Sequence, residues 1–445
     1  MTIEKKTFVC SDATNNNNKF WSYEYDTDTE ICIVKYGRVG KTNITDDPKK
    51  MSRKDIDRKI REKLKGSGKE GSPTYKPPYR EIIVISDIQM SPIQSTSKDL
   101  ILEAAKQQLG AGNSELSKLI ERLVESNKHE LYKASGGQLN IDLKTGVIST
   151  PVGVITKDTI KQARISLDLL APLVNKSKFD DKSFINELNT YLMLVPQMVG
   201  HSRGWHKNFF LGKNTLQHQS TLLDQLEASC DIAESRVKST NDYKNKTDIS
   251  ITPNIFNTDL KIITDTNIIE MIEKKFFDSI NKKHESKNMK PIKIYEVTLQ
   301  DAKKAFDDDG AKLSNIQMLW HGTRIFNVLS ILKNSLILPK TLSTMQICGA
   351  MFGNGIYGSD QSTKALNYAR GYWDGGPRDK NCFMFLVDFA MGKSYTPKSS
   401  YETLPKLNYD STFAKADISG VHNNEMIVYR ASQINIKYLV EFEEK

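Results

Sequence analysis

Cys382-Phe-Met-Phe-Leu-Val-Asp-Phe389 is a short apolar run dominated by aromatic and branched side chains, and it reads as a β-strand. Two further strong strands follow it, Glu425-Met-Ile-Val-Tyr429 and Ile434-Asn-Ile-Lys-Tyr-Leu-Val-Glu-Phe442. Upstream, Asp265 to Lys283 reads as a helix and Pro291-Ile-Lys-Ile-Tyr-Glu-Val297 as another strand. Residues 250–445 are therefore expected to form an α+β domain with a mainly antiparallel sheet core.

Before the polar segment Ser239-Thr-Asn-Asp-Tyr-Lys-Asn-Lys the pattern is helical. Leu116, Leu119, Ile120, Leu123 and Val124 make the apolar stripe of a core-facing helix. Further helical patterns begin near Thr159, Asp181 and Thr215, so 106–236 reads as an all-helical bundle. Nearer the N-terminus, Phe20-Trp-Ser-Tyr-Glu-Tyr and Ile31-Cys-Ile-Val-Lys-Tyr flank the turn-forming Asp26-Thr-Asp-Thr and read as a hairpin, with Gly37-Arg-Val-Gly40 as its exit. Ile56, Ile60 and Leu64 then recur at helical spacing among Lys and Arg until Gly66-Ser-Gly stops the pattern. A small β-rich domain packed by one helix is expected over 5–88.

The whole is a multidomain α+β chain of 445 residues, too long for one core. With 38% apolar and 26% charged residues and no membrane-length apolar run, no membrane association is expected. The N-terminus lacks the apolar core of a secretory signal, so an intracellular protein is expected. The five cysteines are scattered without CxxC or Cys/His spacing, which gives neither a zinc site nor a disulfide framework; no metal is expected. Between Lys35 and Arg80 there are 15 Lys/Arg against 6 Asp/Glu, an excess equal to the whole net charge of +9. Such a localised basic surface suits a polyanionic partner.

Residues that could carry chemistry cluster in the last domain. Leu319-Trp-His-Gly-Thr-Arg places His321 and Gly322 at the end of an apolar strand, followed by Ile325, Val328, Leu329 and Leu332 at helical spacing. Gly349-Ala-Met-Phe-Gly-Asn-Gly-Ile-Tyr-Gly-Ser-Asp is glycine-rich but fits neither a P-loop nor a dinucleotide fingerprint. Ser362 to Arg370 reads as a helix with Lys364 and Tyr368 on one face, and Glu425 opens a strand. Singly, each reads as core or solvent. In order, they resemble the catalytic domain of the poly(ADP-ribose) polymerases in its histidine-tyrosine-glutamate form.

The resemblance extends upstream. Leu119-Ile-Glu-Arg-Leu-Val-Glu-Ser, Thr150-Pro-Val-Gly-Val-Ile-Thr and Tyr191-Leu-Met-Leu-Val-Pro are similar to the regulatory helical domain of the DNA-dependent members. Tyr36-Gly37-Arg38-Val39-Gly40 resembles the signature of a WGR domain, in the layout of the short members without zinc fingers.

What the resemblance implies is an enzyme that uses NAD as substrate, releases nicotinamide, and attaches ADP-ribose to itself and other acceptor proteins. His321, Tyr357 and Glu425 are the implied catalytic residues. His321 would bond a ribose hydroxyl, Gly322 would grip the carboxamide through its backbone, and Tyr368 and Tyr357 would bound the nicotinamide ring. Thr323, Asn327 and Ala365 complete the implied NAD site. Tyr36, Gly37, Arg38 and Lys41 are implied to meet DNA strand breaks or ends, with Tyr36 stacking and Arg38 meeting phosphate. The helical domain would act as a brake released by DNA, and the nucleus is expected for a eukaryotic source. Retention of Glu425 favours polymer over single transfer; a mono-ADP-ribosyltransferase or a weakened DNA-end binding protein is the alternative.

Three positions depart from the family pattern. Ala365 stands where a serine hydroxyl normally meets the carboxamide, a loss of about 0.5–1.5 kcal/mol. Ala350 replaces an aromatic, and the apolar Leu336-Ile337-Leu338-Pro339 replaces an arginine. The ending Glu441-Phe-Glu-Glu-Lys lacks the longer tail that an accessory histone ADP-ribosylation factor engages, so that partner, and serine as main acceptor, are not favoured.

Overall fold

The computed structural model describes residues 3–41, 44–69, 72, 74–85, 100–110, 112–134, 140–141, 148–211, 215–216, 218–220, 222–224, 226–227, 230, 256–338, 351–372, 378–400 and 402–445. They fall into two units, one from Met1–Asp99 and Leu131–Ile251, the other mainly from Leu100–Glu130, Thr252–Thr341 and Gln346–Lys445.

In the first unit, β1 (Ile3–Asp12), β2 (Asn17–Asp26) and β3 (Ile31–Arg38) form an antiparallel meander. Short strands β4 (Ile44–Thr45) and β5 (Lys49–Lys50) pair with β3, and β6 (Arg80–Ile82) pairs with β1. Helix α1 (Arg53–Lys65) begins where the Ser52 hydroxyl accepts the Asp55 N–H and ends at Gly66. Leu64 is exposed, so the buried stripe of α1 narrows to Ile56 and the partly buried Ile60.

The period-two alternation of the strands decides what each sheet face meets. Phe8, Trp21, Tyr23, Tyr25, Cys32 and Val34 turn toward Ile56 of α1. Val9, Phe20, Val39 and Ile82 turn the other way, into a helical core. Chain order next gives α2 (Leu100–Leu109), α3 (Ser114–Ala134), a short pair β7 (Asn140–Ile141) and β8 (Ile148–Ser149), then α4 (Lys157–Asn175), α5 (Lys182–Leu194) and the single turn α6 (His206–Phe209). Ile160, Leu167 and Leu170 of α4 and Phe184, Leu188 and Tyr191 of α5 are the residues that cover the second sheet face. Asn189 on α5 accepts the Ala13 N–H at 2.9 Å, and Asn18 donates to the Gln197 carbonyl at 2.7 Å.

The second unit contains β9 (Thr258–Ile262), α7 (Thr266–Asp278), β10 (Met289–Leu299), α8 (Gln300–Asp308), β11 (Ile316–Gly322), α9 (Ile325–Asn334), β12 (Ile356–Gly358), α10 (Ser362–Ala369), β13 (Asn381–Ala390), β14 (Ser394–Tyr395), β15 (Ser411–Ala414), β16 (Glu425–Val428) and β17 (Ile434–Glu444). Its larger sheet runs β11-β13-β17-β10-β9 with every pair antiparallel, and a smaller one runs β12-β16-β15-β14. The run that opened the sequence reading is the interior strand β13. Cys382, Met384 and Leu386 face α7 and α10, while Phe383, Phe385, Val387 and Phe389 face α9 and the smaller sheet. Both faces are buried, which is why no polar alternation marks this strand.

The stripe Leu116, Leu119, Ile120, Leu123 and Val124 of α3 lies in this second core. Arg122 reaches the buried Glu441 carboxylate at 2.6 Å. Residues 106–236 thus contribute to both units, because an apolar stripe says that a helix is covered without saying by what. No helix among the described residues is long and apolar enough to cross a membrane.

Gly40 ends the β3 turn at φ +81°, and a Cβ there would lie 1.7 Å from Met198 Cγ. Gly40→Ala is expected to destabilise the first unit by about 1–3 kcal/mol, through left-handed backbone strain and overpacking. Urea unfolding followed by tryptophan fluorescence checks this, and a shift below about 0.5 kcal/mol would contradict it.

Candidate active site

β11 carries His321 and Gly322 to the seam between the two sheets. Trp320 and Ser359 exchange backbone hydrogen bonds of 2.9 Å, which splices β11 to the strand end of β12. That bridge sets the Tyr357 carbonyl against the His321 ring, whose Nδ1 donates to it at 2.8 Å. A carbonyl only accepts, so Nδ1 carries the proton and Nε2 is left as an acceptor in the neutral ring. Burial holds the imidazole below its ordinary value, with the Tyr357 carbonyl opposing. His321 is thus an oriented neutral acceptor.

Gly322 has a packing reason of its own. A Cβ there would stand 1.7 Å from the Ala365 backbone carbonyl oxygen. What approaches the missing side chain is helix α10 itself. Ala365 is 4% exposed and belongs to the core under that helix. Beyond Gly322, Asn327 in the first turn of α9 donates to the Thr323 hydroxyl at 3.1 Å, and Arg324 pairs with Asp379 at 3.1 Å.

The Tyr357 phenol accepts the Phe352 N–H at 2.9 Å and donates to the Gly353 carbonyl at 2.8 Å. It braces the glycine-rich loop, and burial pushes its pKa up. Tyr429 donates to the Phe352 carbonyl at 2.8 Å and completes that brace. Ala350 and Pro339 lie outside the described residues; Ile337, at the position where the pattern has an arginine, is exposed.

Glu425 opens β16, whose next residue Met426 pairs with Gly358. Its carboxylate meets the Lys364 ammonium at 2.5 Å, and Lys364 also donates to the Asn424 carbonyl at 2.8 Å. The two side chains are only 9% and 16% exposed. Burial pushes Glu425 up and pulls Lys364 down, and each partner opposes the shift of the other. The attraction between the two groups opposes the burial shift of each, so their titrations are coupled. Tyr368 follows Lys364 by one helical turn on the same face of α10 and is half-buried.

The structure thus brings together His321 with Tyr357, Gly322 with Ala365, and Thr323 with Asn327. Lys364 is the functional residue that sequence reading left as a motif letter. The signal for it was available: a lysine on an otherwise buried helix face needs a carboxylate, and Glu425 opens a buried strand. No group of three His, Cys, Asp or Glu side chains fit for a metal ion occurs among the described residues.

In the first unit, Tyr36, Gly37 and Arg38 end β3, and Lys41 follows in the turn. Tyr36 is 37% exposed. Arg38 donates to the Asn16 carbonyl at 3.0 Å, the Asn16 side-chain oxygen at 3.2 Å and the Gly200 carbonyl at 2.7 Å. Its guanidinium ties the strand end to the segment after α5. Lys41 and Arg38 hold the nearby His201 below its ordinary pKa, a local mark of positive potential. Along α1, Arg53 and Arg58 are paired with Glu4, Asp57 and Asp55, while Lys54, Arg61 and Lys65 are exposed.

In chain order, an α+β domain with a buried lysine–glutamate pair follows a basic β-sheet domain. Residues 267–419 match the poly(ADP-ribose) polymerase catalytic domain, and residues 4–69 match the WGR domain. The chain carries both domains and is related through them to the poly(ADP-ribose) polymerases. Glu425 lies just past the matched span. The chain is 24% identical to chicken (Gallus gallus) Poly [ADP-ribose] polymerase 1 over 74% of its length and 34% of that protein. It is 22% identical to human (Homo sapiens) Protein mono-ADP-ribosyltransferase PARP3 over 96% of its length and 85% of that protein. It is 30% identical to mouse (Mus musculus) Protein mono-ADP-ribosyltransferase PARP4 over 30% of its length and 7% of that protein.

Glu425→Gln removes the attraction that opposes burial at Lys364. The Lys364 ammonium pKa is expected to fall further, as read by 15N-detected NMR of its side chain. An unchanged or raised value would show that the pair is not the coupled unit described.

Proposed function

We propose that the protein is an NAD-dependent ADP-ribosyltransferase that is activated by DNA breaks, modifies itself and other proteins, and elongates the product into poly(ADP-ribose). The observation that carries the reading is the buried Glu425 carboxylate, paired with Lys364 of α10 and opening strand β16, which pairs with the Tyr357 strand β12.

The chemistry follows from these placements. Nicotinamide leaves through a transition state with oxocarbenium character, and a desolvated carboxylate stabilises that positive charge far better than a hydrated one. The same carboxylate accepts a hydrogen bond from an incoming hydroxyl, which favours elongation. Lys364 opposes the protonation that burial favours at Glu425. In this reading the Nε2 of His321 accepts from a ribose hydroxyl, the Gly322 backbone meets the carboxamide, and Tyr368 and Tyr357 bound the ring. Thr323 and Asn327 support that edge, and Ala365 lines it without a hydroxyl.

Tyr36, Gly37, Arg38 and Lys41 would engage DNA ends, with Arg38 shared between the segment after α5 and a phosphate. The exposed cations of α1 support the same partner. Control by the helical segments is supported by Asn127 on α3, which donates to the Phe326 carbonyl at 2.7 Å, directly beside Asn327. Loosening α3 would shift the population of the first turn of α9. A nuclear location fits this role in a eukaryotic source. A mono-transferase is the second reading, favoured by the names of two of the relatives.

Incubation with labelled NAD, with and without nicked or blunt DNA, tests the proposal. DNA-stimulated ladders are expected from the wild type, and Glu425→Gln is expected to collapse them to short products with at least a tenfold lower rate, about 1.4 kcal/mol in the barrier. Single-unit products from the wild type would establish the mono-transferase instead, and absence of transfer with bound DNA would leave only an end-binding protein.

A further inference from the structure

The pairing of β12 with β16 sets Ile356 against Val428, Tyr357 against Ile427 and Gly358 against Met426, and there it ends. Carried two residues further in the same register, it would set Asp360 against Asn424. At that point the rung is made of side chains, for the Asn424 amide donates to Asp360 Oδ2 at 2.7 Å. On the other edge of β16 the pairing with β15 ends at Ala414 opposite Glu425. Here too Asn424 continues it, its side-chain oxygen accepting the Ala416 N–H at 3.1 Å. The Asn424 main-chain carbonyl accepts from Lys364 at 2.8 Å. One side chain and one carbonyl thus tie together the segment after β12, the segment after β15 and helix α10.

The partners leave the amide one orientation. A backbone N–H only donates, so the side-chain oxygen faces Ala416; a carboxylate accepts, so the NH2 faces Asp360. Asp360 is itself anchored through the chain, because Ser359 before it exchanges two backbone bonds of 2.9 Å with Trp320 of β11. Its second carboxylate oxygen, Oδ1, is buried without a hydrogen-bond partner among the described residues. The Asn424 amide is therefore what fixes the Asp360 side chain, and losing it would leave a buried acceptor uncompensated.

We infer that Asn424 is a positioning residue for the Lys364–Glu425 pair, a side-chain rung that works with Asp360 to hold the sheet together two residues past its last backbone rung. The two acceptors of the Lys364 ammonium are the Asn424 carbonyl and the Glu425 carboxylate. That carbonyl belongs to the peptide joining Asn424 to Glu425, so a rotation of this one peptide moves both acceptors together. The rung prevents the rotation. The kinetic consequence rests on the reading of Glu425 as the carboxylate that acts on NAD. A reacting group displaced by about 1 Å loses rate while the ligand still binds, which separates positioning from binding.

The test exchanges the two side chains in the full chain. Asn424→Asp keeps an acceptor for the Ala416 N–H but sets a second carboxylate against Asp360. Asp360→Asn keeps an acceptor for Asn424 and removes only the charge, and the double variant Asp360→Asn/Asn424→Asp restores the bond with donor and acceptor reversed. Nicotinamide release is measured across NAD concentrations, and the 15N resonance of the Lys364 ammonium is followed in the same preparations. Asn424→Asp is expected to lower kcat about tenfold, to change KM for NAD less than about twofold, and to shift the Lys364 resonance. Asp360→Asn and the double variant are expected within about threefold of the wild-type kcat, with the Lys364 resonance back in place. Loss of thermal stability in Asn424→Asp with kcat and resonance unchanged overturns the inference, and so does a folded double variant that recovers neither. If Asn424→Asp does not fold, Asp360→Ala replaces it: a kcat about tenfold below that of Asp360→Asn supports the rung, and equal values overturn it. A wild type that releases no nicotinamide overturns the proposed function. The Lys364 resonance then decides the rung, which stands if the resonance moves in Asn424→Asp and returns in the double variant, and falls otherwise.

Discussion

At the end of β11, Gly322 leaves no Cβ to hold off the Ala365 carbonyl of helix α10. Everything at the candidate site is referenced to that contact. It sets α10 against the sheet at backbone distance, and the Ala365, Leu366 and Ala369 side chains packed beneath the helix hold Lys364 and Tyr368 in place. The Trp320–Ser359 bridge, two residues earlier on β11, then fixes where the smaller sheet begins. With both ends of the arrangement carried by backbone, the strand positions from which His321, Tyr357 and Glu425 project are set by main-chain pairing.

Electrostatics is the second layer. A buried lysine and a buried glutamate each lose hydration, and the attraction between them returns only part of it. Such a pair is a poor way to gain stability, so its presence in the domain that also holds a histidine of fixed tautomer points to chemistry. In the proposed chemistry a poorly solvated carboxylate is the useful form, and the ammonium opposes the loss of its charge.

Much of this was legible in the sequence, and the limits are physical. The strands at 382–389, 425–429 and 434–442, the hairpin at 20–36 and the helix after Ser52 follow from period and turn chemistry. Helix stripes were equally visible, but Leu116 to Val124 packs on the catalytic sheet while Ile160 and Phe184 pack on the N-terminal one, and no local pattern distinguishes those destinations. Leu64 fits the stripe of α1 and is nevertheless exposed, since a short helix on a twisted sheet buries only its middle turns. At the site, order along the chain pointed to His321, Tyr357, Tyr368 and Glu425. The roles of Gly322 and Lys364 needed coordinates, because a glycine does not announce which neighbour it admits and a lysine does not announce its carboxylate.

The N-terminal sheet is covered on both faces, by α1 on the Phe8 side and by α4 and α5 on the Val9 side. Motif and folding unit therefore do not coincide. Cutting the chain after the β-rich segment would leave Val9, Phe20, Val39 and Ile82 facing water, an apolar surface of the kind that drives aggregation. For a lineage that shuffles domains, this means the sheet cannot travel light. It can be inherited only with helices that lie at least 70 residues further along the chain, counting from Ile82 to Lys157, or with a substitute that offers the same apolar face.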